Sequence, residues 1–192
     1  ALEMLCLARV THRVRRTAAN GIPLGAEADD RSFKVLFMDV GLLCRSCGLS
    51  ILDIEDVEDV MLVNAGAVCE QFVGQHLLYS GELYDEPEAF CWMRQKSQSS
   101  AEVDYLISLG QHLIPIEVKV GKTGKLKSLH AFLRQKERSF GLRFNADVPS
   151  LLDARTSLAG GGSSGNRPFR LLSLPLYLIC QARRLCRECL GS

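Results

Sequence analysis

Asp104, Glu117 and Lys119 are the residues of this chain whose types and spacing best suit chemistry. Asp104 stands in Ala101-Glu102-Val103-Asp104-Tyr105-Leu106-Ile107, the other two in Ile114-Pro115-Ile116-Glu117-Val118-Lys119-Val120. Two carboxylates and a lysine on one surface can hold a divalent cation and assist phosphodiester hydrolysis. Magnesium is a hard ion that takes oxygen ligands and keeps several waters, so one or two carboxylates plus a substrate phosphate suffice. The Val118 carbonyl could add a third oxygen. Lys119 could position or help deprotonate the attacking water and offset developing negative charge.

Strands must position these groups. Both stretches alternate apolar and polar residues, and side chains on a strand alternate faces. Val103, Tyr105 and Ile107 then share one face, with Glu102, Asp104 and Leu106 on the other. Ile114, Ile116, Val118 and Val120 share a face, leaving Glu117 and Lys119 opposite. A hairpin through Gly110 brings Asp104 beside Glu117 and Lys119. Glu70, from a preceding helix, could complete the acidic cluster. The same pattern also fits solvated residues on the outer face of a half-buried sheet, and on alternation alone that is the commoner case.

The chain has 192 residues, enough for one domain with a real core, or one domain plus a fragment. Apolar residues at 47% and charged residues at 23% match an ordinary soluble globular protein. A net charge of +1 gives no whole-chain case for nucleic acid, so any such binding must come from a local basic cluster. No signal peptide is visible, because Arg9, Arg13, Arg15 and Arg16 follow only a short apolar run. The apolar stretch from Leu171 to Cys180 is broken by Ser173 and Pro175 and is too short to span a bilayer. These features predict a cytoplasmic location without membrane contact, with reduced cysteines, most of them acting as small buried hydrophobes.

Along the chain, the periodicity predicts a helix over Leu2–Val10, a strand over Thr11–Thr17 and a turn-rich loop from Ala18 to Arg31. A strand follows at Phe33–Met38, then a short helix capped by Asp39 and running through Leu43. Asp53–Met61 reads as an acidic helical segment. Asn64 opens a stronger helix with an apolar stripe of Val68, Phe72, Val73, Leu77 and Leu78. Phe90–Arg94 is a strand, as are the two stretches that carry the carboxylates. A helix over Lys125–Arg138 and a strand over Phe140–Phe144 come next. Ser157–Pro168, with Gly160-Gly161-Gly162-Ser163-Ser164-Gly165, reads as a flexible loop. A last strand at Phe169–Leu174 and a last helix at Leu176–Cys189 complete a mixed α/β arrangement.

Lys119, Lys122, Lys125 and Lys127 crowd one strand end and turn, with Arg134, Lys136 and Arg138 following. Beside a metal site they could hold a nucleic-acid backbone, since phosphate contacts supply most non-specific affinity; a solvated loop and helix face is the plainer alternative. Phe90 and Trp92 could stack on bases, although apolar strand residues more often pack in a core. Cys44-Arg45-Ser46-Cys47 and Cys186-Arg187-Glu188-Cys189 resemble zinc-ligand pairs, but residues 48 to 185 intervene, far beyond the usual spacing. His12, His76, His112 and His130 are scattered without a ligand or triad pattern and read as surface or boundary residues.

Asp104 followed by Glu117-Val118-Lys119 resembles the PD-(D/E)XK motif of restriction-endonuclease-like nucleases, with Val103 in place of the motif's proline. A wider set of segments points to one family. These are Phe33-Lys34-Val35-Leu36-Phe37-Met38-Asp39-Val40-Gly41-Leu42-Leu43, Gly66-Ala67-Val68-Cys69-Glu70-Gln71-Phe72-Val73, the two carboxylate strands, Lys127-Ser128-Leu129 and Leu174-Pro175-Leu176-Tyr177. In that order they resemble the uncharacterised C-terminal domain that follows the ATPase module in many bacterial and archaeal AAA-type ATP-binding proteins.

The resemblance implies a restriction-endonuclease-like α/β fold, a mixed central sheet flanked by helices. It matches Glu70, Asp104, Glu117 and Lys119 to the site positions, the catalytic candidates; the magnesium site read from the residue types is Asp104, Glu117 and Val118. Lys122, Lys125 and Lys127 are the candidates for DNA contact. Residues 1–32 would be the remnant of an upstream segment, with a winged helix as its candidate form, and its linker; residues 33–192 would form the nuclease-like domain. The function implied is a magnesium-dependent nuclease-like domain acting on or binding DNA. Its alternative is a catalytically silent accessory module that binds nucleic acid or protein. No G-x-x-x-x-G-K-[ST] loop is present, because Gly121-Lys122-Thr123-Gly124-Lys125 lacks the leading glycine, so ATP binding would belong to the upstream ATPase module.

Overall fold

Asp39 shows how local sequence sets the first elements. Its carboxylate accepts a hydrogen bond from the Gly41 amide at 2.7 Å and caps a helix over Val40–Ser46. That helix is the second, after α1 (Leu2–Leu7), and is called α2. The computed structural model describes residues 1–48, 65–81, 84–94, 101–121, 124–156 and 167–191. The acidic segment Asp53–Met61, Asn64, Lys122 and nearly all of the glycine-serine loop lie outside these residues.

Eight strands form one mixed sheet: β1 (Thr11–Thr17), β2 (Ala28–Phe37), β3 (Ala89–Arg94), β4 (Ala101–Leu109), β5 (His112–Val118), β6 (Phe140–Asn145), β7 (Ser150–Arg155) and β8 (Pro168–Pro175). Their spatial order is β2-β1-β3-β4-β5-β6-β8-β7. The pairs β1–β3, β5–β6 and β6–β8 are parallel, and the others antiparallel. β4 and β5 form the expected hairpin, with Gly110 in its turn at φ 56.

Helices cover both faces of the sheet. On one, α3 (Ala65–Leu78) places Val73, Leu77 and Leu78 in a core with Tyr105, Ile107, Ile114, Ile116, Leu142, Phe144 and Leu174. A 3-10 turn (Leu176–Gln181) and α5 (Ala182–Leu190) join this layer through Ile179, Ala182 and Cys186. On the other, α4 (Lys127–Gln135) packs Phe132 against Trp92, with ring centroids 5.2 Å apart, and Leu129 and Leu133 against Phe169 and Leu171. Phe90 and Trp92 are therefore core residues, 7% and 3% exposed. Gly141 permits the close approach of α4, since a Cβ there would lie 3.3 Å from a Leu129 methyl.

Three features depart from the sequence reading. The sheet runs across the expected division at residue 32, because β2 spans it and β1 is an inner strand between β2 and β3. β7 was not anticipated: Leu151 and Leu152 are both largely exposed, so this edge strand has no alternating pattern to read. The terminal helix begins as a 3-10 turn after Pro175 and becomes α-helical only at Ala182. Among the described residues, no helix is long and apolar enough to cross a membrane.

Candidate functional site

A bulge in β4 builds the site. Trp92 pairs with Val103 but Phe90 pairs with Leu106, so one β3 residue, Cys91, stands against two on β4, Asp104 and Tyr105. Bulges re-aim side chains, and here the strict alternation read from the sequence is broken. Val103 packs with Leu106 on the α4 side, while Tyr105 and Ile107 pack on the α3 side. Asp104 is thereby separated from Leu106 and brought toward α3 together with Tyr105.

The ladder between β4 and β5 stops at the Tyr105–Ile116 pair. Just beyond it, Oδ2 of Asp104 accepts the Val118 amide at 2.7 Å, a side chain standing in for a backbone rung. The Lys119 amide donates to the Phe144 carbonyl of β6 at 2.8 Å, which fixes the end of β5 and the residues on it. Val118 itself buries its side chain in the core and serves the site through its amide.

α3 supplies the next carboxylate. Tyr105 donates its hydroxyl to the Glu70 carbonyl at 2.9 Å, pinning the helix above the bulge. Gly74, one turn further on, makes this possible: a Cβ there would meet the Tyr105 hydroxyl at 2.3 Å and a Leu36 methyl at 2.8 Å. Glu70 and Glu102 then come together with Asp104, each offering an oxygen within 4.8 Å of the other two. This cluster can hold a metal ion. Its members are all hard oxygen donors, which suits divalent cations such as magnesium, manganese or calcium.

Lys34, from β2, also enters the cluster. Its Nζ lies 2.5 Å from Glu70 and 2.8 Å from Glu102, and 5.4 Å from the centre of the Tyr105 ring. Burial alone would lower the Lys34 pKa, but the two carboxylates outweigh it and raise it.

Glu117 and Lys119 form a separate ion pair at 2.6 Å, the glutamate side chain only 6% exposed. Glu117 is not part of the three-carboxylate cluster. One of its oxygens binds Lys119, and Oε2 is buried without a partner. The Lys119 stem lies against Gly124, where a Cβ would come within 2.9 Å of its Cδ. Burial pushes the Glu117 pKa up, with Lys119 opposing. Burial, followed by the charges of Glu117 and Glu70, lifts Asp104 from an ordinary 3.8 to about 7.

Of the basic residues, Lys125 and Lys127 are exposed at the start of α4. Lys136 instead donates to Asn20 at 2.7 Å. All eight cysteines are free, and none joins the metal-competent cluster. His12 is buried, with Tyr79 at 2.9 Å from its Nε2. Sequence reasoning missed Glu102 and Lys34. The period-two pattern did place Glu102 on the face of Asp104, but nothing local announced that β2 would deliver Lys34.

Residues 65–149 match a family described as Domain of unknown function (DUF4143). The matched stretch contains Glu70, Glu102, Asp104, Glu117 and Lys119. Neither the curated proteins nor the solved structures contain a match to the chain.

Proposed function

We propose that this chain is a divalent-metal-dependent, nuclease-like domain of restriction-endonuclease-like fold that acts on DNA. The observation that carries the reading is the convergence of Glu70, Glu102 and Asp104 beside the Glu117–Lys119 pair. The unpartnered, buried Oε2 of Glu117 adds to it, since such an atom calls for a cation or a donor. Glu70, Glu102 and Asp104 would hold the ion, with Glu117 as a further oxygen donor beside them. A divalent cation bound there would polarise a phosphoryl oxygen and make a coordinated water more acidic.

The chain's own groups have separable roles in this reading. The Val118 amide holds the Asp104 carboxylate in place. Lys119, oriented by Glu117 and confined by Gly124, presents an ammonium to the negative charge that develops on a phosphate. Lys34 offsets part of the mutual repulsion of the carboxylates. Lys125 and Lys127, exposed on the turn and helix next to β5, could contact the DNA backbone, with Lys122 between Lys119 and Lys125 in sequence. The resemblance read from the sequence suggests a cytoplasmic AAA-type ATPase protein as the setting, with an upstream ATPase module as partner and source of ATP binding.

One observation favours a second reading, a catalytically silent module that binds nucleic acid or protein. The Lys34 ammonium already bridges Glu70 and Glu102, as the fixed internal cation of a structural cluster would.

Incubation with plasmid and single-stranded DNA, with magnesium or manganese, separates the two. The first reading expects cleavage by the wild type, abolished by chelator and by Lys119→Ala. Cleavage undiminished in Lys119→Ala overturns the catalytic assignment. Salt-sensitive DNA binding without cleavage establishes the second reading.

A further inference from the structure

The hairpin end carrying Gly110, opposite the end that holds Asp104 and Glu117, borders a cavity of about 890 Å³. Leu77, Leu109 and Ile179 give it an apolar floor, each at most 6% exposed. Arg183, Arg184 and Arg187 of α5 line its wall, and Asp85 is the carboxylate among the described lining residues. A chain of net charge +1 thus gathers, among the described lining residues, three arginines against one carboxylate.

The arrangement runs against ordinary helix electrostatics. Arg183 and Arg184 occupy the first turn of α5, which contains no acidic residue. Like charges spaced as Arg183 and Arg187 repel. Arg183 is also oriented: its Nε donates to Ser80 at 2.9 Å and its Nη1 to the Ser108 carbonyl at 3.3 Å. A guanidinium so held has its planar fork set before any ligand arrives. Arg184 is paired with Glu188 and with Gln181 at 2.8 Å, so its charge is only partly engaged.

We propose that this cavity binds a phosphorylated small molecule of nucleotide size. The arginine forks take the phosphate, and Leu77, Leu109 and Ile179 border the space left for the rest of the molecule. Gln75 supports the larger ligand over a bare anion: its Oε1 is buried without a partner, and the residue lines the same cavity. An acceptor of that kind calls for a hydroxyl or amino donor, which the sugar and base of a nucleoside phosphate supply apart from the phosphate that the arginines hold. A cavity within the ordinary size range of ligand pockets suits a single small molecule. No glycine-rich phosphate loop is involved.

Calorimetric titration and thermal unfolding of the full chain, with chelator present to silence the acidic cluster, test this with AMP, adenosine, inorganic phosphate and a short single-stranded oligonucleotide. AMP is expected to bind and raise the melting temperature, with adenosine and inorganic phosphate each at least tenfold weaker. The Arg184→Ala/Arg187→Ala double variant should weaken AMP roughly tenfold or more while keeping its unliganded melting temperature, because both side chains are exposed. Arg187→Lys, which keeps the charge but loses the fork, should weaken it to a smaller extent. No AMP binding, AMP binding unchanged in the double variant, adenosine or phosphate matching AMP, or binding of the oligonucleotide alone would each overturn the proposal.

Discussion

Replacing Asp104 by asparagine should make the protein more stable at pH 8 and leave it nearly unchanged at pH 4. In the wild type, burial and the neighbouring carboxylates raise Asp104 from 3.8 to about 7. Between those values the folded state binds more protons than the unfolded one, so stability falls as pH rises. Above about pH 7 the full cost of holding the ionised carboxylate is present. A difference of about three pKa units at 1.36 kcal/mol each sets a ceiling of about 4 kcal/mol. Asparagine removes that cost and keeps an oxygen that can accept the Val118 amide.

The expected gain at pH 8 is therefore about 2–4 kcal/mol, shrinking toward zero at pH 4 where both side chains are neutral. For a chain of this length that corresponds to a rise in melting temperature on the order of 5–12 °C. Urea unfolding at both pH values, with chelator present, measures the difference directly, since an unchanged m-value isolates stability. Groups remote from Asp104 titrate alike in both proteins and cancel, while Glu70 and Glu117, relieved of its charge, add to the gain at pH 8. A gain of the same size at pH 4 as at pH 8, or no gain at either, would refute the placement of Asp104 in a repulsive acidic cluster. Adding magnesium supplies a second readout: it should stabilise the wild type and not the variant.

Further outcomes follow from the same geometry. Gly74→Ala should cost about 1–3 kcal/mol in urea unfolding, because its methyl would collide with the Tyr105 hydroxyl and a Leu36 methyl; Gly21→Ala, with open space around it, is the control and should differ by less than about 0.5 kcal/mol. Lys34→Met should lose about 1–3 kcal/mol at pH 8 without divalent cations, less than for a fully buried pair because Glu70 and Glu102 remain 31% and 44% exposed, and magnesium should restore part of it. Thiol alkylation of the native protein at pH 8 should label the exposed Cys47 and Cys180. Cys91 and Cys186, whose pKa values burial pushes up to about 11 and about 12, should react only after unfolding, as mass spectrometry of the labelled peptides would reveal.

The strands bearing Asp104 and Glu117, their turn at Gly110 and the cap at Asp39 were legible because each depends on neighbours in sequence. Alternation, turn chemistry and capping act over a few residues, so composition at short range is enough to write them down. β7 was not legible, since Leu151 and Leu152 become strand residues only by pairing with β8. The same holds for β1, whose inner position requires β3 to lie alongside it in parallel.

For the site, sequence placed Glu70, Asp104 and Glu117 on a helix and two strands that the fold contains and put Glu102 on the strand face of Asp104, but it ran the second strand through Lys119 and Val120, whereas β5 ends at Val118. It could not place the bulge at Asp104 and Tyr105, which exists only where β4 meets β3. Nor could it bring Lys34 between Glu70 and Glu102, whose charges meet because the sheet and α3 join segments distant in the chain. Residue types and spacings thus determined which groups are available for chemistry. Tertiary packing decided which of them share a point in space, because burial and mutual charge act across the fold and not along the chain.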